Sequence, residues 1–287
     1  MEKYPDWIQE INGELWLAES DRGNLQVSYR LREVVFFGKS PFQQVMIADS
    51  HDFGRMLILD GVVQTTALDG HIYNEMIAHV PLLLHKNPEK VLIIGGGDCG
   101  AAREAAKHPS VHQIDMVEID ELVVKAAREH LTEVSGGLSD PRVSFIFTDG
   151  IEFARHVKNQ YDVIIIDSSD PEGPAEQLFE LDFYKNLKSA LKEGGILVCQ
   201  SQSPLFQPDI TKKIHKSFES LFPFAEVYGA TIPTYPGSFW SFTLGSLALP
   251  ADPKKRAFPE LYAKYFSSDI LESCFHLPPF LEKRIKS

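Results

Sequence analysis

From Pro88 onward the chain alternates short, continuous apolar runs with stretches of helical spacing, and few folds accept that alternation. The runs predict strands over Val91–Ile94, Gln113–Glu118, Val143–Thr148, Val163–Asp167 and Ile196–Gln200, with helices between most of them. "YDVIIID" and "GGILVCQ" are apolar on both alternating faces, as strands covered from both sides must be. The pattern predicts an α/β fold, a mostly parallel sheet with helices on its two faces. "FWSFTLGS" reads as one more strand, and Pro250–Ser287 as an appended tail with a short helix. The first ~80 residues read differently, as β structure in "LQVSYRL", "FQQVMIA" and "RMLILDGVVQTT". Asp60-Gly61 between apolar runs predicts a tight hairpin, because both central residues must take positive φ. Helical spacing begins near Ile72, with Met76, Ile77, Val80 and Leu84 on one face. Two domains are expected: a small β-rich one over 1–84 and the α/β one over 85–287.

The stretch "VLIIGGGDCGAAREAAKHPSVHQIDMVEID" carries most of the chemistry. Gly95, Gly97 and Gly100 fit the G-x-G-x-x-G loop of a dinucleotide site, and Glu118 stands where an acid grips a ribose. Asp98, however, lies inside the loop. Beside a pyrophosphate it would set like charges a few ångströms apart in a poorly solvated cleft, which argues against NAD. Ligands of an open parallel sheet sit beyond the carboxyl ends of its strands. Four such ends here bring acids: Gly95–Gly100, the end of "MVEID", Thr148-Asp149-Gly150 and "DSSDPEGPA". Users of S-adenosylmethionine generally place their ammonium-binding acid on the strand two residues before the first glycine, where this chain has Ile93. A carboxylate at Asp98 favours a bare ammonium and repels a neighbouring carboxylate. Decarboxylated S-adenosylmethionine, a sulfonium with an aminopropyl arm, meets both conditions.

Composition agrees. The formal net charge of -12 disfavours nucleic acid and anionic membranes as partners and favours cationic ligands. No apolar run reaches the ~18 residues of a membrane span. "MEKYPDWIQE" lacks a signal-peptide pattern. Cys99, Cys199 and Cys274 are widely spaced and suggest neither disulfides nor a zinc site. A cytoplasmic protein without metal or bound cofactor is expected.

"LDGVVQTT", "YNEMIAHVPLL", "VLIIGGGD", "DSSDPEGPA", "FY" and "IPTYPGSFW", in that order, resemble the motifs of the polyamine aminopropyltransferases, the family of the spermidine synthases. The resemblance runs from "ELWLAES" to "CFHLPPF". It implies a Rossmann-like, methyltransferase-type domain behind a small N-terminal β-sheet domain that assists oligomerisation and walls the site, in dimers or tetramers. It implies transfer of the aminopropyl group of decarboxylated S-adenosylmethionine to putrescine, giving spermidine and 5′-methylthioadenosine.

The resemblance also implies roles. Asp167 is the proton acceptor and Asp170 an acceptor-amine ligand. Asp98 holds the amine of the aminopropyl arm, within the loop Gly95, Gly96 and Gly97. Glu118 takes the ribose hydroxyls, Asp149 and Gly150 meet the adenine, and Pro174 packs on it. Gln43 and Gln64 lie near the donor; Gln200, Tyr73, Asn74 and Tyr235 lie near the acceptor. The sulfonium is already a good leaving group, so alignment and proton removal suffice. A free alkylamine (~10.4) and an ordinary Asp (~3.9) differ by roughly 9 kcal/mol in proton affinity, so tuning is needed.

Three positions depart from the family pattern: Cys99 for a glycine, the segment Gly70, His71 and Asn74 around Tyr73, and "YPGSFW" for the usual "YPSG". The second bears on the acceptor, leaving cadaverine, agmatine and spermidine as alternatives. An amine N-methyltransferase using intact S-adenosylmethionine and a polyamine-binding protein without activity are the rival readings. Asp98 argues against the first; Asp167, Asp170, Tyr73 and Tyr235 together argue against the second.

Overall fold

The computed structural model describes residues 4–171, 173–252 and 260–286. Six strands, β1 (Ile8–Ile11), β2 (Glu14–Asp21), β3 (Leu25–Lys39), β4 (Gln44–Ser50), β5 (Gly54–Leu59) and β6 (Val62–Thr66), form an antiparallel sheet in sequence order. β1 and β2 extend it beyond the strands expected from sequence. Asp60 (φ 47°) and Gly61 (φ 88°) turn β5 into β6 as the pair of residues required.

The second sheet follows helix α1 (Gly70–Leu84). Its chain order is β7 (Lys90–Gly95), α2 (Gly100–Ala106), β8 (Gln113–Glu118), α3 (Glu121–His130), α4 (Thr132–Ser135), β9 (Val143–Phe147), α5 (Gly150–His156), β10 (Tyr161–Asp167), a 3₁₀ turn over Gly173–Phe179, α6 (Leu181–Ala190), β11 (Leu191–Gln200), α7 (Pro208–Leu221), β12 (Phe224–Thr231) and β13 (Phe239–Ser246). The strands lie in the order β12-β13-β11-β10-β7-β8-β9. β11, β10, β7, β8 and β9 are mutually parallel, and β13 runs antiparallel between β11 and β12. β12, "FAEVYGAT", is the strand sequence reading passed over; Glu226 and Gly229 interrupt its apolar run. The tail carries two short helices, α8 (Ser268–Ser273) and α9 (Pro279–Lys286).

Buried side chains cover the second sheet on both faces, one cluster around Val91, Ile93 and Ile165 and the other around Leu92, Ile164 and Ile166. α1 precedes the boundary drawn from sequence at residue 84, yet Met76, Ile77 and Val80 pack in the first of these clusters. A further core joins Val45, Ile47 and Leu57 of the first sheet to Val123, Ala126 and Leu131 beside α3. The two sheets are thereby clamped with a cleft between them. Glu75 of α1 is buried and accepts the backbone N–H groups of Lys264 (2.9 Å), Tyr265 (2.8 Å) and Phe266 (2.8 Å), fastening the tail to the helix.

Candidate active site

In the second sheet the strand order reverses between β7 and β10, the place where open α/β sheets bind ligands. Gly95 at the end of β7 is the register partner of Asp167 at the end of β10. A cavity of about 600 Å³ opens there, walled on its far side by β2 and β6 of the first sheet. Gly95 (φ 85°) and Gly96 (φ 74°) take conformations that side chains avoid. A Cβ on Gly95 would overlap the Asp167 carbonyl oxygen, which accepts a hydrogen bond from Gly96 N at 2.8 Å. Cys99 has φ 65°, the strained conformation that its replacement of a glycine implies, but its side chain turns into the core and its Sγ lies 3.8 Å from Gly97 O.

Carboxyl groups dominate the lining. Asp98 accepts from Gly100 N (2.7 Å) and from Asn74 Nδ2 (3.2 Å), and burial raises its pKa. Asp167 accepts from the Tyr73 hydroxyl at 2.7 Å. Burial, then the neighbouring charges of Asp98 and Glu118, push Asp167 up to about 8. Glu118, whose Oε1 accepts from Asp120 N at 2.9 Å, is pushed up to about 7, again mainly by burial. Asp170 accepts from Gln202 Nε2 at 2.8 Å. Among the described lining residues the one basic side chain is Arg22, and its guanidinium is bonded to Asp21.

The other expected residues gather around this acidic floor. Tyr73 and Tyr235 meet edge to face with centroids 6.1 Å apart, and the Tyr235 hydroxyl donates to Gln64 O at 2.7 Å. Trp240 packs on Tyr235 at 4.5 Å. Gln43, Gln64 and Gln200 line the cavity; Gln43 Nε2 donates to Asp120 Oδ2 at 3.0 Å. Asp149 caps α5 by accepting from Ile151 N at 2.7 Å, and Gly150 beside it leaves room for Ile94. Pro174 lies outside the described side chains.

Comparison with known proteins decides the family. The model of the spermine/spermidine synthase domain matches residues 70–254, and that of the spermidine synthase tetramerisation domain matches residues 15–67. The chain belongs to the spermine/spermidine synthase family. It is 45% identical over 270 residues to the polyamine aminopropyltransferase of Thermoanaerobacter sp. (strain X514), covering 94% of this chain and 98% of that one. It is 44% identical over 274 residues to the polyamine aminopropyltransferase of Moorella thermoacetica, covering 95% and 97%. Among solved structures, a spermidine synthase in complex with the transition-state analogue AdoDATO superposes with a TM-score of 0.89 at 36% identity over 99% of this chain and 98% of that one. Spermidine synthase from Thermotoga maritima gives 0.88, also at 36% identity, with the same coverage.

Within this family frame, two placements differ from what the motifs suggest. Asn74 does not line the cavity: it is fully buried and supports Asp98 from behind. Gly70 faces Thr65 and Val134, where a Cβ would overlap the Thr65 hydroxyl, so it takes no bulk from the acceptor side. Two residues around the cavity carry no signal in the motifs. Glu19 on β2 is 4% exposed, lines the cavity, and its Oε2 has no hydrogen-bond partner among the described residues. Burial, with Asp21 and Asp170 nearby, pushes it up to about 7. Gln202, held at φ 65°, is the residue that fixes Asp170.

These acids make the stability of the protein sensitive to pH. Glu19, Glu118 and Asp167 bind protons more tightly folded than unfolded, so stability drops as pH rises through about 7 to 8. His108, held down to about 3 by burial and His79, works in the opposite sense at lower pH and is titrated out above its unfolded value of about 6.5. The unfolding midpoint of the ligand-free protein is therefore expected to decrease between pH 6.5 and 8.5, and a bound cationic ligand to remove most of that slope. A midpoint that stays level or rises over this range without ligand would mean the carboxyls are ionised in the folded protein.

Proposed function

We propose that this enzyme, an aminopropyltransferase by family, takes its aminopropyl group from decarboxylated S-adenosylmethionine and passes it to putrescine, forming spermidine and 5′-methylthioadenosine. The observation that carries this reading is the concentration of buried carboxyls around one cavity. Asp98, Glu118, Asp167 and Glu19 each sit above their ordinary pKa chiefly because burial penalises ionisation, with neighbouring carboxylates adding to the penalty at Glu118, Asp167 and Glu19. A sulfonium with an ammonium arm, joined by a diammonium, relieves that penalty; an anionic or neutral ligand does not.

The proposed roles divide between the two substrates. Asp98, ordered by Gly100 N and Asn74, takes the ammonium of the aminopropyl arm. Glu118 takes the ribose hydroxyls, Gln43 and Gln64 stand beside the donor, and Asp149 with Gly150 borders the adenine. Pro174 is the adenine's packing partner by resemblance. On the acceptor side, Tyr73 and Tyr235 supply aromatic faces for cationic methylenes, and Gln200 stands by. Asp170 and Glu19 take the distal ammonium. The attacking nitrogen displaces sulfur at the adjacent methylene: the C–N bond forms, the C–S bond breaks, and the electron pair stays on sulfur as a neutral thioether.

Asp167 receives the proton. Its Oδ1 is engaged by Tyr73, and its Oδ2 lies over Gly96, 3.3 Å from where a Cβ would stand, so glycine keeps that oxygen open. The donor's positive charge ionises the carboxyl, while burial keeps it more basic than an exposed Asp. Proximity and orientation account for the rest. Neither metal nor bound cofactor enters this scheme. A homo-oligomer, built through the N-terminal sheet, is part of the proposal.

Decarboxylated S-adenosylmethionine is expected to bind at least about tenfold more tightly than S-adenosylmethionine, or about 1.4 kcal/mol, because Asp98 would oppose the extra carboxylate. Calorimetry with each donor, and mass spectrometry for 5′-methylthioadenosine with putrescine present, tests this. Equal affinities, or methylated amine as the product, would sink it.

A further inference from the structure

We propose that Arg22 closes the acceptor end of the cavity and sets the length of amine it takes, admitting a diamine and discriminating against a linear triamine. The inference rests on the reading above that the acceptor lies along Asp167, Asp170 and Glu19. Arg22 and Gly23 form the turn between β2 and β3, with φ 53° and 67°, and Asn24 N donates to Asp21 O at 3.2 Å. Glycine suits such a turn at both positions; a long side chain in the left-handed region is uncommon and mildly strained. Here the strain comes with a defined placement. Arg22 grips Asp21 with two bonds, Nε to Oδ1 at 2.9 Å and Nη2 to Oδ2 at 2.6 Å. Its guanidinium carbon stands 4.4 Å from the centre of the Phe206 ring. Phe206 belongs to the loop after β11 and packs on Gly237, where any Cβ would overlap the ring. A turn of the first sheet thus reaches over to a loop of the second, and Asp21, Arg22 and Phe206 all line the cavity.

An ion pair between adjacent turn residues is ordinarily a solvated surface feature worth little. Three observations separate this one: the left-handed arginine, the contact across the two sheets, and the position on the cavity wall. Its consequence concerns charge order. Glu19 and Asp21, two apart on β2, share one face of the strand, and both Asp21 and Asp170 act on Glu19. Asp167, Asp170, Glu19 and Asp21 all line the cavity, and the proposal sets them in that order outward from the reacting centre. Arg22 neutralises the last of them. A diamine places its distal ammonium at Asp170 and Glu19 and needs nothing beyond. A triamine extends its third ammonium to a carboxylate already engaged, beside a guanidinium of like charge.

The test compares kcat/KM for putrescine and spermidine in the wild type, Arg22→Asn and Asp21→Asn. Asn tolerates the left-handed turn conformation, and a ratio of two acceptors in one preparation does not depend on the folded fraction. Arg22→Asn should raise the spermidine-to-putrescine ratio about fivefold or more, the scale of one partly exposed charge contact. Asp21→Asn leaves the guanidinium unpaired and should lower the ratio. Ratios within about twofold of wild type in both variants, or a lower ratio in Arg22→Asn, overturn the proposal. A wild-type enzyme that turned over neither amine would instead overturn the acceptor reading beneath it, and this proposal with it.

Discussion

Replacing Asp167 by Asn is expected to lower kcat by roughly 10²- to 10⁴-fold with little change in donor affinity. The substitution preserves the shape of the side chain and an oxygen for the Tyr73 hydroxyl, now 2.7 Å away, while removing the group proposed to take the proton. In the proposed arrangement the donor's ammonium is held at Asp98 and its ribose at Glu118, so calorimetric binding of the donor should survive. Turnover measured at neutral pH separates two chemistries. A large loss means that the carboxylate takes the proton as the nitrogen attacks. Near-normal turnover would mean that the amine arrives already neutral and that solvent has taken its proton.

The second large effect is expected at Glu19. Its carboxyl is buried on the cavity wall, with Asp21 and Asp170 acting on it, so an arriving ammonium would offset the cost of its charge. Hydrogen bonds of buried charged groups contribute more than neutral ones, so Glu19→Gln should reduce kcat/KM for putrescine by roughly 10- to 100-fold. The loss should fall on KM, because the distal ammonium is held equally before and during the reaction. 1-Aminobutane, which lacks that ammonium, provides the control. If the variant loses as much with the monoamine as with putrescine, Glu19 serves the fold of β2 and not the acceptor.

The contrast between Asp167 and Glu19 shows what a sequence makes legible. Asp167 ends an unbroken apolar run, and such a run can only be a covered strand whose end faces the ligand edge. Asp98, Glu118 and Asp149 are read in the same way, each from a strand end. Glu19 gives no such signal. It sits in "ELWLAESD", where Glu19 and Asp21, two residues apart, look like the wet face of an edge strand. Only the docking of the first sheet against the second turns that face inward. Asn74 is misread for a related reason. It adjoins Tyr73 in sequence, but each helical residue turns about 100° from the last, so it points elsewhere; Gly70, nearly a full turn before Tyr73, is set by its close approach to Thr65 and Val134.

That rotation gives α1 an importance beyond its length. Tyr73 reaches Asp167, Asn74 reaches Asp98, and Glu75 reaches the backbone of residues 264–266. Three successive side chains thus address two carboxyls of the cavity and the tail, spread over about 200° of the helix surface. Just upstream, Asp69 accepts from Thr66 Oγ1 (2.6 Å) and from Thr234 N (2.7 Å), which fixes where the helix starts. A single inserted or deleted residue between Asp69 and Tyr73 would rotate every one of these addresses at once, and no rotamer change at one position would restore them. Among related sequences, this stretch is therefore expected to keep its length.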